Sequence, residues 1–192
     1  TKSREEVEAA YKGRLRLVGE NRVPEAYEKY ADFYADAELH LIGHLQSNKA
    51  KQAAEIAACV QSIDKLKTAR ELEKRCAAID RQMDIFIEFN TSGEESKSGY
   101  LSKDTLFSEL EQLAAFPHLR VKGFMTIGPF TSDTEAIRRA FVLLRHVYEE
   151  AQSRFPELPI QERSMGMTSD YEIAVEEGST MVRIGTALFG SR

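Results

Sequence analysis

Two stretches near the C-terminus carry the residue types best suited to binding chemistry: Ser164-Met165-Gly166-Met167-Thr168-Ser169-Asp170 and Met181-Val182-Arg183-Ile184-Gly185-Thr186. Each reads as a short strand running into a turn of small residues, rich in backbone N–H groups and hydroxyls. The first turn opens a helix, with Ser169 and Glu172 spaced as a capping box. A helix N-terminus with free N–H groups attracts an anion, most often phosphate. Short Gly/Ser/Thr turns are also ordinary connectors, so the turns alone leave both readings open. Arg183 lies inside an otherwise apolar strand, where an uncompensated charge is costly. It either closes a structural ion pair or faces a ligand just below the Gly185-Thr186 turn.

Other reactive side chains carry weaker signals. His40 and His44 are four apart on a strand and its loop, not on one helical face, which argues against a metal pair. Cys59 and Cys76 fit no metal or redox spacing and read as free thiols in a reducing cytoplasm. His118 and His146 read as surface residues. Glu94-Glu95, in the polar run 92–99, could supply acid and base, but a solvated, mobile loop at the mouth of a site is the simpler reading.

The elements that must position these residues alternate along the whole chain. Residues 3–12 read as a helix opened by a Ser3–Glu6 capping box and closed by Gly13 at C′. Strand and helix then alternate: strand 15–18, helix 24–34 with Pro24 in its first turn, strand 39–42, helix 47–57, strand 60–63, helix 65–79, strand 85–89. Next come a helix over 103–116, a strand over 121–125 and a long helix over 133–155 behind a Ser132–Glu135 box. The two C-terminal strands bring the total to seven. Strands alternating with helices imply parallel pairing and an α/β architecture. A (β/α)8 TIM-type barrel needs eight strands, so the strand expected ahead of Ser3 is not in this sequence. An open doubly wound sheet is the alternative, but no G-x-G-x-x-G follows the first strand.

Polar residues collect at the predicted C-terminal strand ends, the face that carries the site in such barrels: Glu20, Asn21, His44, Gln46, Ser47, Asn90, Thr126, Thr168 and Thr186. Among the 192 residues, 42% are hydrophobic and 30% charged, with net charge −5, which suits a single globular domain. That acidity, without a clustered basic stripe, excludes nucleic acid as the expected partner. No apolar run approaches a membrane span, and the polar start does not read as a signal peptide.

On these motifs the chain resembles the pyridoxal phosphate homeostasis proteins, related to the N-terminal domain of alanine racemase. The matching segments are Gly19-Glu20-Asn21, the run 40–49 (HLIGHLQSNK), the loop 92–99, Gly123-Phe124-Met125-Thr126-Ile127, residues 164–167 and the run 181–190. The resemblance implies one barrel domain over 1–192 that binds pyridoxal 5′-phosphate (PLP). The turns at Ser164, Gly166, Thr168, Gly185 and Thr186 would hold the phosphate, Arg183 would approach the pyridine nitrogen, and Asn21 and His44 would line the ring pocket. An Arg beside that nitrogen disfavours its protonation and makes the ring a poorer electron sink, compatible with carrying the cofactor rather than turning over amino acids.

Three departures qualify the likeness. Leu39 stands where the family often has Trp. Thr168-Ser169-Asp170 stands for Ser-Asp-Asp. The family's Schiff-base lysine lies on the first strand, and matching Thr1-Lys2 to the end of its motif puts that lysine just before Thr1. No residue of this chain is therefore expected to join the cofactor covalently, and Lys2 is expected in solvent. The implied protein is a cytoplasmic monomer that serves PLP-dependent apoenzymes. An amino-acid racemase of the same barrel type is the alternative. A sugar-phosphate enzyme would need a committed base, for which only Glu20 qualifies.

Overall fold

A computed structural model describes residues 2–30, 37–94 and 96–190. Helix α1 (Arg4–Lys12) starts where local chemistry puts it. The Glu6 N–H donates to the Ser3 hydroxyl at 3.3 Å, and the Ser3 N–H donates to the Glu6 carboxylate at 2.7 Å. Its end is shifted by one residue. Leu15 N–H reaches the Ala10 carbonyl and Arg14 N–H the Tyr11 carbonyl, a Schellman pattern that makes Gly13 the C-cap and Arg14 the left-handed residue, at φ 72°. This turn uses Leu15, so strand β1 runs Leu17–Glu20, later than expected.

Helix α2 (Val23–Tyr30), β2 (Glu38–Leu41) and α3 (Ala50–Ile56) follow; a 3-10 turn, Ser47–Lys49, leads into α3. Next come β3 (Cys59–Ile63), α4 (Leu66–Ala78), β4 (Met83–Glu88), α5 (Lys103–Leu113), β5 (Leu119–Met125) and α6 (Thr134–Arg154). The chain closes with β6 (Glu162–Met167), α7 (Tyr171–Glu176), β7 (Met181–Arg183) and α8 (Thr186–Phe189). The part of the α2 expectation at 31–34, like Glu95 and Thr1, lies outside the described residues.

Two helix starts depart from expectation. Asp133, not Ser132, caps α6, because its carboxylate accepts from the N–H groups of both Glu135 and Ala136. The Ser169–Glu172 box does not form. Asp170 sits at the cap position of α7 but accepts from the Met167 N–H behind it at 2.6 Å, which closes the turn.

The seven strands pair in chain order, every neighbouring pair parallel. The order never reverses, as a doubly wound sheet would require. The fold is a TIM-type barrel of the alanine racemase N-terminal kind, with β1 and β7 at the two ends of the sheet among the described residues. Its main core lies between sheet and helices: Leu41, Val60, Ile85, Ile87 and Phe124 pack against Leu72, Leu110, Phe141 and Leu144.

A second, smaller apolar cluster, Cys59, Phe86 and Met125 with Met181, occupies the other face of the sheet, inside the barrel. Side chains alternate along a strand. Two residues on from Cys59, Phe86 and Met181, the same inward face carries Gln61, Glu88 and Arg183. The interior is thus an apolar floor with a polar layer above it, toward the C-terminal strand ends.

That interior depends on a close approach of β5 and β6. A Cβ on Gly123 would lie 2.1 Å from the Glu162 carbonyl oxygen, which is backbone and cannot yield without moving the strand. Gly123→Ala is expected to destabilise the fold by about 3 kcal/mol, read from the urea midpoint at unchanged slope. An unchanged midpoint contradicts the packing described.

Candidate functional site

Arg183 ends β7 and turns inward. One guanidinium nitrogen donates to the Ser164 hydroxyl at 2.7 Å, and the other to the Thr126 carbonyl at 2.7 Å. Both acceptors are neutral, and among the described residues no carboxylate lies within ion-pair distance of Arg183. A guanidinium has five N–H donors, so most of its capacity is left for a ligand. Burial lowers its pKa to about 10, opposed by the negative charges of Asp170 and Glu88, and it stays cationic at neutral pH.

Above Arg183 the structure brings the two turns together. The Ala187 N–H donates to the Thr168 hydroxyl at 3.4 Å, joining the turn after β6 to the start of α8. Among the described residues, the N–H groups of Thr168, Ser169 and Gly185 donate to nothing. A Cβ on Gly185 would meet no atom within 4 Å, so the space beside this turn is open. Gly166 has a packing role: at φ 95°, a Cβ there would lie 2.6 Å from the Ala174 Cβ, so only glycine lets α7 close on β6. Free donors, hydroxyls and open space thus lie above a fixed cation, an arrangement suited to an anion.

Six of the eight expected residues, Ser164, Gly166, Thr168, Arg183, Gly185 and Thr186, are therefore gathered on β6, β7 and their turns. Asn21 and His44 stand on the ends of β1 and β2. Gly43 allows these ends to touch, since a Cβ there would lie 2.3 Å from the Asn21 carbonyl oxygen. His44 is held by Asp64, its Nδ1 3.0 Å from Asp64 Oδ2. His40 faces inward and does not join it; among the described residues no cluster of metal-ligating side chains exists.

Several smaller expectations are corrected. Lys2 is not in solvent: its Nζ donates to the Phe189 carbonyl at 2.6 Å and pairs with Glu6 at 3.3 Å, tying the segment before α1 to α8. Glu20 is held in a partly buried ion pair with Lys29 at 2.7 Å. The loop after β4 is anchored rather than loose. Asn90 Oδ1 accepts from the Ser92 and Gly93 N–H groups, Asn90 Nδ2 donates to the Glu94 carbonyl, and Lys97 Nζ reaches the Gly128 carbonyl at 3.1 Å. His118 is half-buried at the surface, and its Nδ1 lies 2.8 Å from Glu73.

Two interior residues escaped the sequence reading. Gln61 is buried and accepts from the Ser164 hydroxyl at 2.6 Å. Glu88 is 4% exposed, and its carboxylate makes no hydrogen bond among the described residues. Burial, reinforced by the negative charge of Asp64 and opposed by Arg183, raises Glu88 to about pKa 7. The available signal was alternation: Asp84, Phe86 and Glu88 share the face opposite Ile85 and Ile87.

Comparison with known proteins identifies the family and the fold. A sequence model of the alanine racemase N-terminal domain family matches residues 3–192. A pyridoxal phosphate homeostasis protein of Aquifex aeolicus is 39% identical over 179 residues, covering 93% of this chain and 78% of the relative. The solved structure of PipY from Synechococcus elongatus without PLP superimposes with a TM-score of 0.94 at 33% identity, covering 99% of this chain and 89% of PipY. The PLP-bound PipY structure superimposes with a TM-score of 0.91 at 33% identity and the same coverage, 99% and 89%.

Proposed function

The chain belongs to the pyridoxal phosphate homeostasis proteins, within the alanine racemase N-terminal domain family, and from that premise we propose that it binds PLP and serves cofactor homeostasis. The observation that carries the reading is the anion cradle directly above an Arg that no carboxylate neutralises. The phosphate lies against the N–H groups of Thr168, Ser169 and Gly185 and the hydroxyls of Thr168 and Thr186. Its dianion matches this donor set. Arg183 offers its unused N–H groups to the pyridine nitrogen, and its fixed positive charge keeps that nitrogen unprotonated. Asn21 and His44 face the ring from the β1 and β2 ends, His44 held by Asp64.

When bound, PLP supplies an aldehyde and an electron-accepting ring. Arg183 weakens that electron demand, which supports retention and delivery over amino-acid turnover. Glu20, the base a sugar-phosphate enzyme would need, is occupied by Lys29. Among the described residues no helix is long and apolar enough to cross a membrane. The proposal places the protein in the cytoplasm as a monomer, with PLP-dependent apoenzymes as recipients.

The test compares PLP with pyridoxal, which lacks the phosphate. PLP should bind at least about 100-fold more tightly, as expected when several charge-assisted bonds are lost together. D- and L-amino acids should remain unracemised in the same preparation. Equal affinity for the two ligands rejects the phosphate cradle, and stoichiometric racemisation rejects the carrier role.

A further inference from the structure

Arg183 is held by a chain of hydrogen bonds that reaches across the barrel. Its Nη1 donates to Ser164 Oγ at 2.7 Å, and the Ser164 hydroxyl donates to Gln61 Oε1 at 2.6 Å. The Gln61 amide nitrogen lies 2.7 Å from His40 Nδ1 and 3.1 Å from the Met181 sulfur. His40 Nε2 is in turn 3.1 Å from Glu38 Oε1. The polarity of this chain is set by its members. A thioether only accepts, so the Gln61 NH2 must face Met181 and His40, and its carbonyl must face Ser164. His40 Nδ1 then accepts, which puts the ring proton on Nε2, toward the Glu38 carboxylate. Every donor points the same way, from the guanidinium toward Glu38.

We propose that Gln61 is a positioning residue for ligand binding. By accepting the Ser164 proton it turns the Ser164 lone pair toward Arg183 and fixes the guanidinium beneath the turns. Both residues are buried, Gln61 at 1% and Ser164 at 0% exposure, so water does not substitute for the amide. Without Gln61 the Ser164 hydroxyl is free to rotate and to aim its proton at the guanidinium, which removes one of the two acceptors holding Arg183. Sequence distance hides this role, since Gln61 and Ser164 are 103 residues apart. The inference takes its ligand from the PLP reading, but the chain of bonds stands without any ligand.

The experiment therefore has two readouts. In ligand-free protein labelled with 15N-arginine, the Arg183 Nη resonances should be resolved, because rotation of the guanidinium is hindered at both nitrogens. Gln61→Leu should merge them. Gln61→Asn keeps an amide but shortens its reach, should merge them too, and carries the test if the leucine variant does not fold. Gln61→Glu still accepts from Ser164 and, once the His40 proton moves to Nδ1, from His40; it should keep them resolved. In PLP titrations Gln61→Leu should weaken binding about tenfold, and by nothing further in an Arg183→Ala background. Resolved Nη signals in Gln61→Leu or Gln61→Asn, or additive losses in the double variant, overturn the proposal. Wild-type protein that shows the expected Nη behaviour but does not bind PLP sinks the ligand reading and leaves the positioning role standing.

Discussion

Arg183→Ala should raise the dissociation constant for PLP about 100-fold while lowering the melting temperature by only a few degrees. The asymmetry follows from how the guanidinium is held. Its acceptors are the Ser164 hydroxyl and the Thr126 carbonyl, not a carboxylate. Removing it therefore leaves no ion-pair partner stranded, and the cost of desolvating a buried cation disappears with it. Ser164 keeps its bond to Gln61, and Glu88 can retain a proton. The ligand loses more: a charge-assisted bond at the ring nitrogen and the positive field under its phosphate. Isothermal titration beside thermal melts of the ligand-free protein makes the measurement. Unchanged PLP affinity with a melting temperature lowered by ten degrees or more assigns Arg183 to the fold instead.

The second large effect is a pH dependence centred on Glu88. Its carboxyl is raised from 4.5 to about 7 in the folded protein, first by burial and then by Asp64, against the pull of Arg183. The folded state holds this proton where the unfolded chain has released it. The stability involved is fully present below pH 4.5 and is lost as pH rises through 7. Over that window the wild-type protein should lose about 2–3 kcal/mol more than Glu88→Gln, whose amide cannot titrate. Urea denaturation of both proteins at pH 5 and pH 8 reads the difference directly. Parallel stability curves would mean that Glu88 already ionises in the folded state like an exposed carboxylate. A neutral Glu88 also leaves Arg183 with less opposing charge in the pocket, so PLP should be held more tightly just below pH 7 than just above it.

What the sequence determined by itself is local or periodic. Strand and helix order follows from periods of two and 3.6, legible within any ten residues, and parallel pairing follows from that alternation. The Ser3–Glu6 box formed as read because its partners are three residues apart. The two C-terminal turns were recognisable from their own composition, and Arg183 from the cost of a charge in an apolar strand. Where two local solutions competed, sequence spacing chose wrongly. Asp133 outbid Ser132 because its carboxylate accepts from two N–H groups at once, and Asp170 turned back to Met167, leaving Ser169 and Glu172 without a box.

Only the tertiary structure decided what Arg183 touches and what surrounds it. Its acceptors come from β6 and from the end of β5, 19 and 57 residues away. Gln61 and Glu88 read as unremarkable strand residues until winding turns one face of every strand toward a common axis. Burial then makes an amide into a support and raises a carboxyl to about pKa 7. The loop after β4 shows the same dependence: polar composition reads as mobility, and it is the Asn90 side chain, fixed at a buried strand end, that pins it. These properties arise from the curling of the sheet. Its curvature sets which distant side chains share a desolvated interior, and no pattern confined to a few neighbouring residues encodes it.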